Sequence, residues 1–179
     1  EQKTTYGTKK SDIIRTGRHD DTIYAGKSGD TVYAGLSNDT IYGEKGNDKL
    51  YGEQGNDIIY GDKGNDLIDG GNGNDILYGG KGKDTLIGGK GNDTIYAGKG
   101  KDTIIFNQGD GNDTIKSYQQ SAFRCEDDGH EGHEDTIKLG VNPLDLIFSR
   151  SGDNLQVIIN GSADSITIED WDWYEEAAN

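Results

Sequence analysis

Aspartate recurs every nine residues along most of this chain: Asp12, Asp21, Asp30, Asp39, Asp48, Asp57, Asp66, Asp75, Asp84, Asp93 and Asp102. A period held over so many units dictates a repeat architecture, in which each unit buries its apolar face only against its neighbours. Each unit has two halves. Six residues rich in glycine, asparagine and aspartate carry turn chemistry. Three strand-like residues follow, with an aliphatic side chain always in the middle: Ile14, Ile23, Val32, Ile41, Leu50, Ile59, Ile68, Leu77, Leu86, Ile95 and Ile104. A three-residue strand has no stability alone, so the units must stack.

Turn, strand, turn and strand make one coil of eighteen residues. Successive coils then lie about 4.8 Å apart, as two parallel sheets facing across a thin aliphatic core. The aspartates divide into two files on opposite edges. Asp12, Asp30, Asp48, Asp66, Asp84 and Asp102 form one, and Asp21, Asp39, Asp57, Asp75 and Asp93 the other. Carboxylates at that spacing repel one another. One aliphatic side chain per glycine-rich unit is a meagre counterweight to the entropy of ordering it. A hard dication held by carboxylates and carbonyls closes the gap, and flexible oxygen-only turns suit calcium better than magnesium.

Composition agrees. A net charge of −15, 29 glycines and 30% hydrophobic residues lean towards disorder unless a cation is supplied. Such acidity argues against nucleic acid as a partner. Cys125 is the one cysteine, so no intrachain disulfide framework exists. There is no apolar run long enough to span a membrane. The polar start, Glu1-Gln2-Lys3-Thr4, is no signal peptide and reads as the interior of a longer protein.

The repeats are uneven. From Gly43 to Asp102 they are close to regular, whereas the first four, within 1–40, are degraded: His19, Ser28 and Leu36-Ser37 replace turn residues. Calcium is expected to be weak or absent there. After Asp102 the period slips, and Asp113 follows at eleven residues. The reading is therefore all-β: a right-handed parallel β-roll over 1–106, then a C-terminal β cap over 107–179 with an acidic insertion at 119–134. Within the cap, Asp135 to Leu139 resumes the strand pattern. Leu155–Ile159 and Ser165–Ile168 read as a hairpin across Asn160-Gly161, followed by Trp171 and Trp173. Leu155, Val157, Ile159, Ile166, Ile168 and Trp171 are the candidates for closing the open end of the roll.

Gly70-Gly71-Asn72-Gly73-Asn74-Asp75-Ile76-Leu77-Tyr78 and Gly88-Gly89-Lys90-Gly91-Asn92-Asp93-Thr94-Ile95-Tyr96 both fit G-G-x-G-x-D-x-U-x, with U a large aliphatic. On these motifs the chain resembles the C-terminal part of RTX proteins, whose nonapeptides bind calcium. The stretch from Asp110 to Trp173 resembles the module that follows such repeats in haemolysin-type and iron-regulated RTX proteins. The resemblance implies calcium held between turns eighteen residues apart. One such site would combine the carbonyls of Glu44 and Gly46 and the Asp48 carboxylate with the carbonyls of Gly61 and Lys63 and Asp66.

Extended along the chain, the implied ligands are the carboxylates of Asp30, Asp39, Asp48, Asp57, Asp66, Asp75, Asp84, Asp93, Asp102, Asp113 and Asp135. With them come the turn carbonyls of Gly43-Glu44-Lys45-Gly46, Gly52-Glu53-Gln54-Gly55, Gly61-Asp62-Lys63-Gly64, Gly70-Gly71-Asn72-Gly73, Gly79-Gly80-Lys81-Gly82, Gly88-Gly89-Lys90-Gly91 and Ala97-Gly98-Lys99-Gly100. About six to nine Ca2+ ions are expected, bracketing the seven or eight that would cancel the net charge of −15. The resemblance further implies a secreted, monomeric, calcium-folded block of a toxin or virulence protein, with the type I secretion machinery as partner. The tail of a secreted protease or lipase, or an extender of an adhesin, is the alternative.

Nothing catalytic is legible. There is no H-E-x-x-H, no G-x-S-x-G and no strand–glycine-loop–helix context for a phosphate. Cys125, Asp127, Asp128, His130 and His133 are of types that suit zinc, but a solvated acidic loop inserted in the cap is the better reading of them. Two further files follow from the eighteen-residue coil. Tyr24, Tyr42, Tyr60, Tyr78 and Tyr96 should form one outward stripe. Lys9, Lys27, Lys45, Lys63, Lys81 and Lys99 should stand exposed on a single edge, tempering the carboxylate repulsion.

Overall fold

The computed structural model describes residues 2–116 and 135–169. The Cys125–His133 constellation, the whole acidic insertion, Trp171 and Trp173 lie outside the described residues. In chain order the strands of the roll begin with β1 (Thr4–Tyr6), β2 (Ile13–Arg15), β3 (Thr22–Tyr24), β4 (Thr31–Leu36) and β5 (Thr40–Tyr42). They continue with β6 (Lys49–Gln54), β7 (Ile58–Lys63), β8 (Leu67–Asn72), β9 (Ile76–Lys81), β10 (Thr85–Lys90) and β11 (Thr94–Lys99). The C-terminal part adds β12 (Thr103–Asn107), β13 (Asn112–Ile115), β14 (Thr136–Gly140), β15 (Leu146–Ser151), β16 (Asn154–Ile159) and β17 (Ser165–Ile168).

Odd- and even-numbered strands of the roll fall on two separate sheets, each stacked in parallel. Register is eighteen residues per coil, as in Thr22↔Thr40↔Ile58 and Thr31↔Lys49↔Leu67. The molecule is the expected all-β parallel solenoid.

Burial alternates with a period of two, as a pleated strand requires. In β7 and the turn after it, Ile59, Gly61 and Asp66 are buried, while Ile58 and Tyr60 are half-exposed. The inner face of a regular repeat thus carries an aspartate, an aliphatic and a small residue, while after Asp102 the small residue's place is taken by the buried Phe106. From Ile23 to Leu86 the aliphatics of this file are fully buried.

Strand length departs from the sequence reading. Strands of three residues and turns of six were expected. In β4 and β6 to β11 the strand runs for six residues. The true turn is then only three residues, such as Gly64-Asn65-Asp66. The cause is that each repeat position pairs with the same position one coil on. Glycine in the second position takes a positive φ, 105° at Gly71 and 100° at Gly89. Because the same deviation recurs one coil later, Gly71 still pairs with Gly89 and Asn72 with Lys90. A distortion that would end an ordinary strand is carried along this one in phase. Glu44, Glu53 and Asp62 occupy the same position with φ of 67°, 75° and 68°, which costs these non-glycine residues some backbone strain.

The lysine file is as expected. Lys27 bridges Lys45, Lys45 bridges Lys63, Lys63 pairs with Lys81 and Lys81 with Lys99, and all six lysines are exposed. The tyrosine stripe is longer than expected, because Tyr6 joins it. Ring centroids from Tyr6 to Tyr96 are 4.6–5.2 Å apart with planes within 9° of parallel. Tyr33 and Tyr51 stack on the opposite sheet, with the Arg15 guanidinium 3.9 Å above the Tyr33 ring.

At the C-terminal end the two sheets finish differently. One ends on β14, parallel to β12. The other continues from β13 onto β17, which runs parallel to it, and then onto β16 and β15 in antiparallel order. The hairpin of β16 and β17 was legible in the sequence; β15 was not. Leu155, Val157, Ile159, Ile166 and Ile168 are buried and extend the core of the roll.

Candidate calcium ladders

The aspartates line the two edges as files. Each amide donates to the carboxylate one coil later: Asp48 N–H to Asp66 Oδ1 (2.8 Å), Asp66 to Asp84 (2.9 Å) and Asp84 to Asp102 (2.8 Å) on one edge. The other edge carries Asp39 to Asp57, Asp57 to Asp75 and Asp75 to Asp93, each at 2.7 Å. Both relays survive the slipped period. Asp93 N–H reaches Asp113 Oδ1 (3.0 Å), and Asp102 N–H reaches Asp135 Oδ1 (2.9 Å). Beside them the turn asparagines run the opposite way, with Asn74 N–H donating to Asn56 Oδ1 of the preceding coil (2.7 Å).

One oxygen of each carboxylate is therefore spent on the backbone. The other is not. Oδ2 of Asp30, Asp39, Asp48, Asp57, Asp66, Asp75, Asp84, Asp93 and Asp102 is buried without a hydrogen-bond partner. A buried carboxylate oxygen without a donor is costly unless a cation faces it. Asp12 differs: its Oδ2 accepts the Thr8 N–H (2.6 Å). So within the degraded repeats, Asp30 and Asp39 share the orphan oxygen of the regular ones, and Asp12 does not.

The surroundings of these oxygens are cradles. A methyl group built on Gly61 would lie 2.6 Å from the Gly79 carbonyl oxygen and 2.7 Å from Asp66 Oδ2. On Gly43 it would lie 2.8 Å from both Asp48 Oδ2 and the Gly61 carbonyl. Glycine in the first position thus leaves room between a carboxylate and the carbonyl of the next coil. Other turn carbonyls already accept one bond each. Glu44 accepts from Lys63 N–H (3.1 Å), Lys63 from Gly46 N–H (2.9 Å) and Lys81 from Gly64 N–H (3.0 Å). Each keeps a second lone pair. Among the described residues, no three His, Cys, Asp or Glu side chains gather closely enough to hold a metal. A cation on these edges must be shared between carboxylates and carbonyls. Such an all-oxygen donor set fits calcium, which when bound supplies the positive charge that the orphan oxygens face.

Burial raises the carboxyls. Desolvation pushes Asp48, Asp57, Asp84 and Asp93 up to about 6, and Asp39, Asp66, Asp75 and Asp102 up to about 7, against an ordinary 3.8. Neighbours on the ladder add to this at Asp66 and Asp75. The sign of the pH dependence follows. Without calcium, these groups contribute stability that is fully present below about pH 4 and is lost as pH rises through about 6 to 7. With calcium the order reverses, because the ion must displace those protons. The calcium midpoint, followed by far-UV circular dichroism, is expected to rise as pH falls from about 8 to about 5. A midpoint flat across that range would contradict the assignment.

The chain belongs to the family of RTX calcium-binding nonapeptide repeats. The family model matches residues 6–32, 26–59, 33–68, 51–86, 69–104 and 78–111, which together run from 6 to 111. It is thus a calcium-binding RTX protein. No curated protein matches it. Among the described residues no helix is long and apolar enough to cross a membrane. Sequence reasoning passed over two buried acids beside the ladders, Asp110 and Asp164. The signal that could have found the first is the eleven-residue slip before Asp113.

Proposed function

We propose that this chain is the calcium-folded block of a type I-secreted toxin or virulence protein, open in the low-calcium cytosol and folded only outside the cell. The observation that carries this reading is the series of buried, unpartnered carboxylate oxygens on both edges. A fold that stores so much uncompensated charge is held by a ligand that the exterior supplies and the cytosol withholds. The block itself is non-catalytic in this reading, and the harmful or enzymatic activity resides elsewhere in its parent. A passenger role behind a protease, a lipase or an adhesin would use the same physics.

The test is export. Produced in a cell equipped with a type I exporter, the chain should be protease-sensitive in a chelated cell extract and appear in the medium. There, about millimolar calcium should render it protease-resistant. Retention in cells whose exporter is shown to be active, or protease resistance inside them, would count against the proposal.

A further inference from the structure

The outer face of one sheet carries a groove. In β7, β9 and β11 a tyrosine is followed by a small residue, the second turn residue and a lysine: Tyr60 to Lys63, Tyr78 to Lys81 and Tyr96 to Lys99. Each position pairs with its counterpart one coil on, so the tyrosines make one wall and the lysines the other. The second turn residues lie between them as a floor: Glu44 and Asp62 towards the N-terminus, then Gly80 and Gly98. The groove encloses about 570 Å³, within the range of ligand sites. Its walls differ in chemistry. Tyr60 and Tyr78 have both ring faces taken by stacked neighbours, 4.6–4.9 Å away between centroids, so this wall presents ring edges. A ring edge is the positive part of the aromatic quadrupole and attracts the negative face of another ring. On the opposite wall Lys45, Lys63, Lys81 and Lys99 are exposed, and among the described residues none of them forms an ion pair. On a chain of net charge −15, these four cations are not spent on its own carboxylates.

We propose that this groove docks an extended acidic, aromatic peptide segment of a partner protein, its rings laid against the tyrosine edges and its carboxylates on the lysine file. The two walls ask for both halves of that chemistry. A polyanion without rings leaves the tyrosine wall unused, and an anionic bilayer is too flat to enter a trough. Successive lysines stand one coil apart, about 4.8 Å, so from Lys45 to Lys99 the groove takes about four or five extended residues. The seat is uneven along its length. Glu44 and Asp62 repel a carboxylate in the N-terminal half, whereas Gly80 and Gly98 leave the floor uncharged beside Lys81 and Lys99. The carboxylates of the ligand therefore belong in the glycine half. The walls join residues eighteen apart in sequence, so the groove exists only in the coiled chain, and in this respect the site rests on the calcium reading of the ladders.

The probe is a fluorescein-labelled peptide of about eight residues, alternating aspartate and tryptophan, long enough to overhang the groove. Binding to the full chain is followed by fluorescence anisotropy in saturating calcium chloride, with the fold of every variant checked by far-UV circular dichroism. The peptide should bind, and should weaken as salt is raised. Asparagine in place of its aspartates, or leucine in place of its tryptophans, should remove most of the affinity. Lys81→Gln combined with Lys99→Gln should weaken binding about fivefold. Asp62→Gly should tighten it about twofold. That substitution installs the residue already present at Gly80 and Gly98 and relieves a φ of 68°, so it does not threaten the fold. If the lysine variant fails to fold, Asp62→Gly decides alone. No binding to the folded chain, or unchanged affinity in the folded variants, would overturn the proposal. So would equal binding of polyaspartate or of phosphatidylglycerol vesicles. A wild-type chain that does not fold in calcium would instead sink the reading of the ladders themselves.

Discussion

Stripped of calcium by a chelator at neutral pH, the chain should lose its β signal altogether and expand. The two edges bury carboxylates whose second oxygens have no donor, and calcium-free folding at neutral pH must either strand those charges or hold protons on them. Either course costs several kcal/mol per site as an order of magnitude, against one fully buried aliphatic side chain per repeat. Restoring calcium to the millimolar range should return the fold in one cooperative step, because each coil contacts only its neighbours and an isolated coil buries little. Far-UV circular dichroism and sedimentation measure both limits. A chain that stays folded and compact in excess chelator at pH 7 would remove calcium from its assigned place in the fold.

Removal of everything after Asn107 should be nearly as damaging. The aspartate relay has a direction: every amide is completed by the carboxylate one coil nearer the C-terminus. The cut takes away Asp113 and Asp135, which receive the amides of Asp93 and Asp102. It also exposes Ile95 and Ile104 by removing β13, β14 and the apolar hairpin behind β13. Each lost coil strips the one before it, so the defect propagates. Calcium-driven folding should fail, or require at least about tenfold more calcium by titration, as the final sites lose their ligands. A truncated roll with an unchanged midpoint would show that the C-terminal strands are ornamental.

The parts of this structure that were legible in the sequence are those set by phase. A nine-residue period fixes the eighteen-residue coil, and the coil fixes which residues share an edge. Lys45, Lys63 and Lys81 could therefore be placed in one file, and Tyr60, Tyr78 and Tyr96 in one stripe, before any geometry was seen. Asp113 and Asp135 could be joined to the ladders because each precedes a strand pattern like those of the repeats. What was not legible depends on contacts without a period. Strand length was underestimated because glycine and asparagine read as turn formers. Their pairing with residues of the same repeat position in the next coil overrides that preference. β15 escaped notice because Leu146, Ile147 and Phe148 carry no alternation, and Ile147 and Phe148 remain exposed. The burial of Asp164 depends on where the hairpin docks, which its own sequence does not encode.

The pairing of two repeats into one coil also governs how such a gene can change. Inserting a single nonapeptide would move every later strand to the opposite sheet. The lysine file would be cut and continued on the wrong edge, tyrosines would face Tyr33 and Tyr51 in place of their own stack, and β13 would meet the wrong neighbour. Inserting eighteen residues changes only the length. Duplication and loss along this lineage should therefore proceed in a double unit, as a reading frame proceeds in threes. The chain tolerates elongation readily, but only by whole coils.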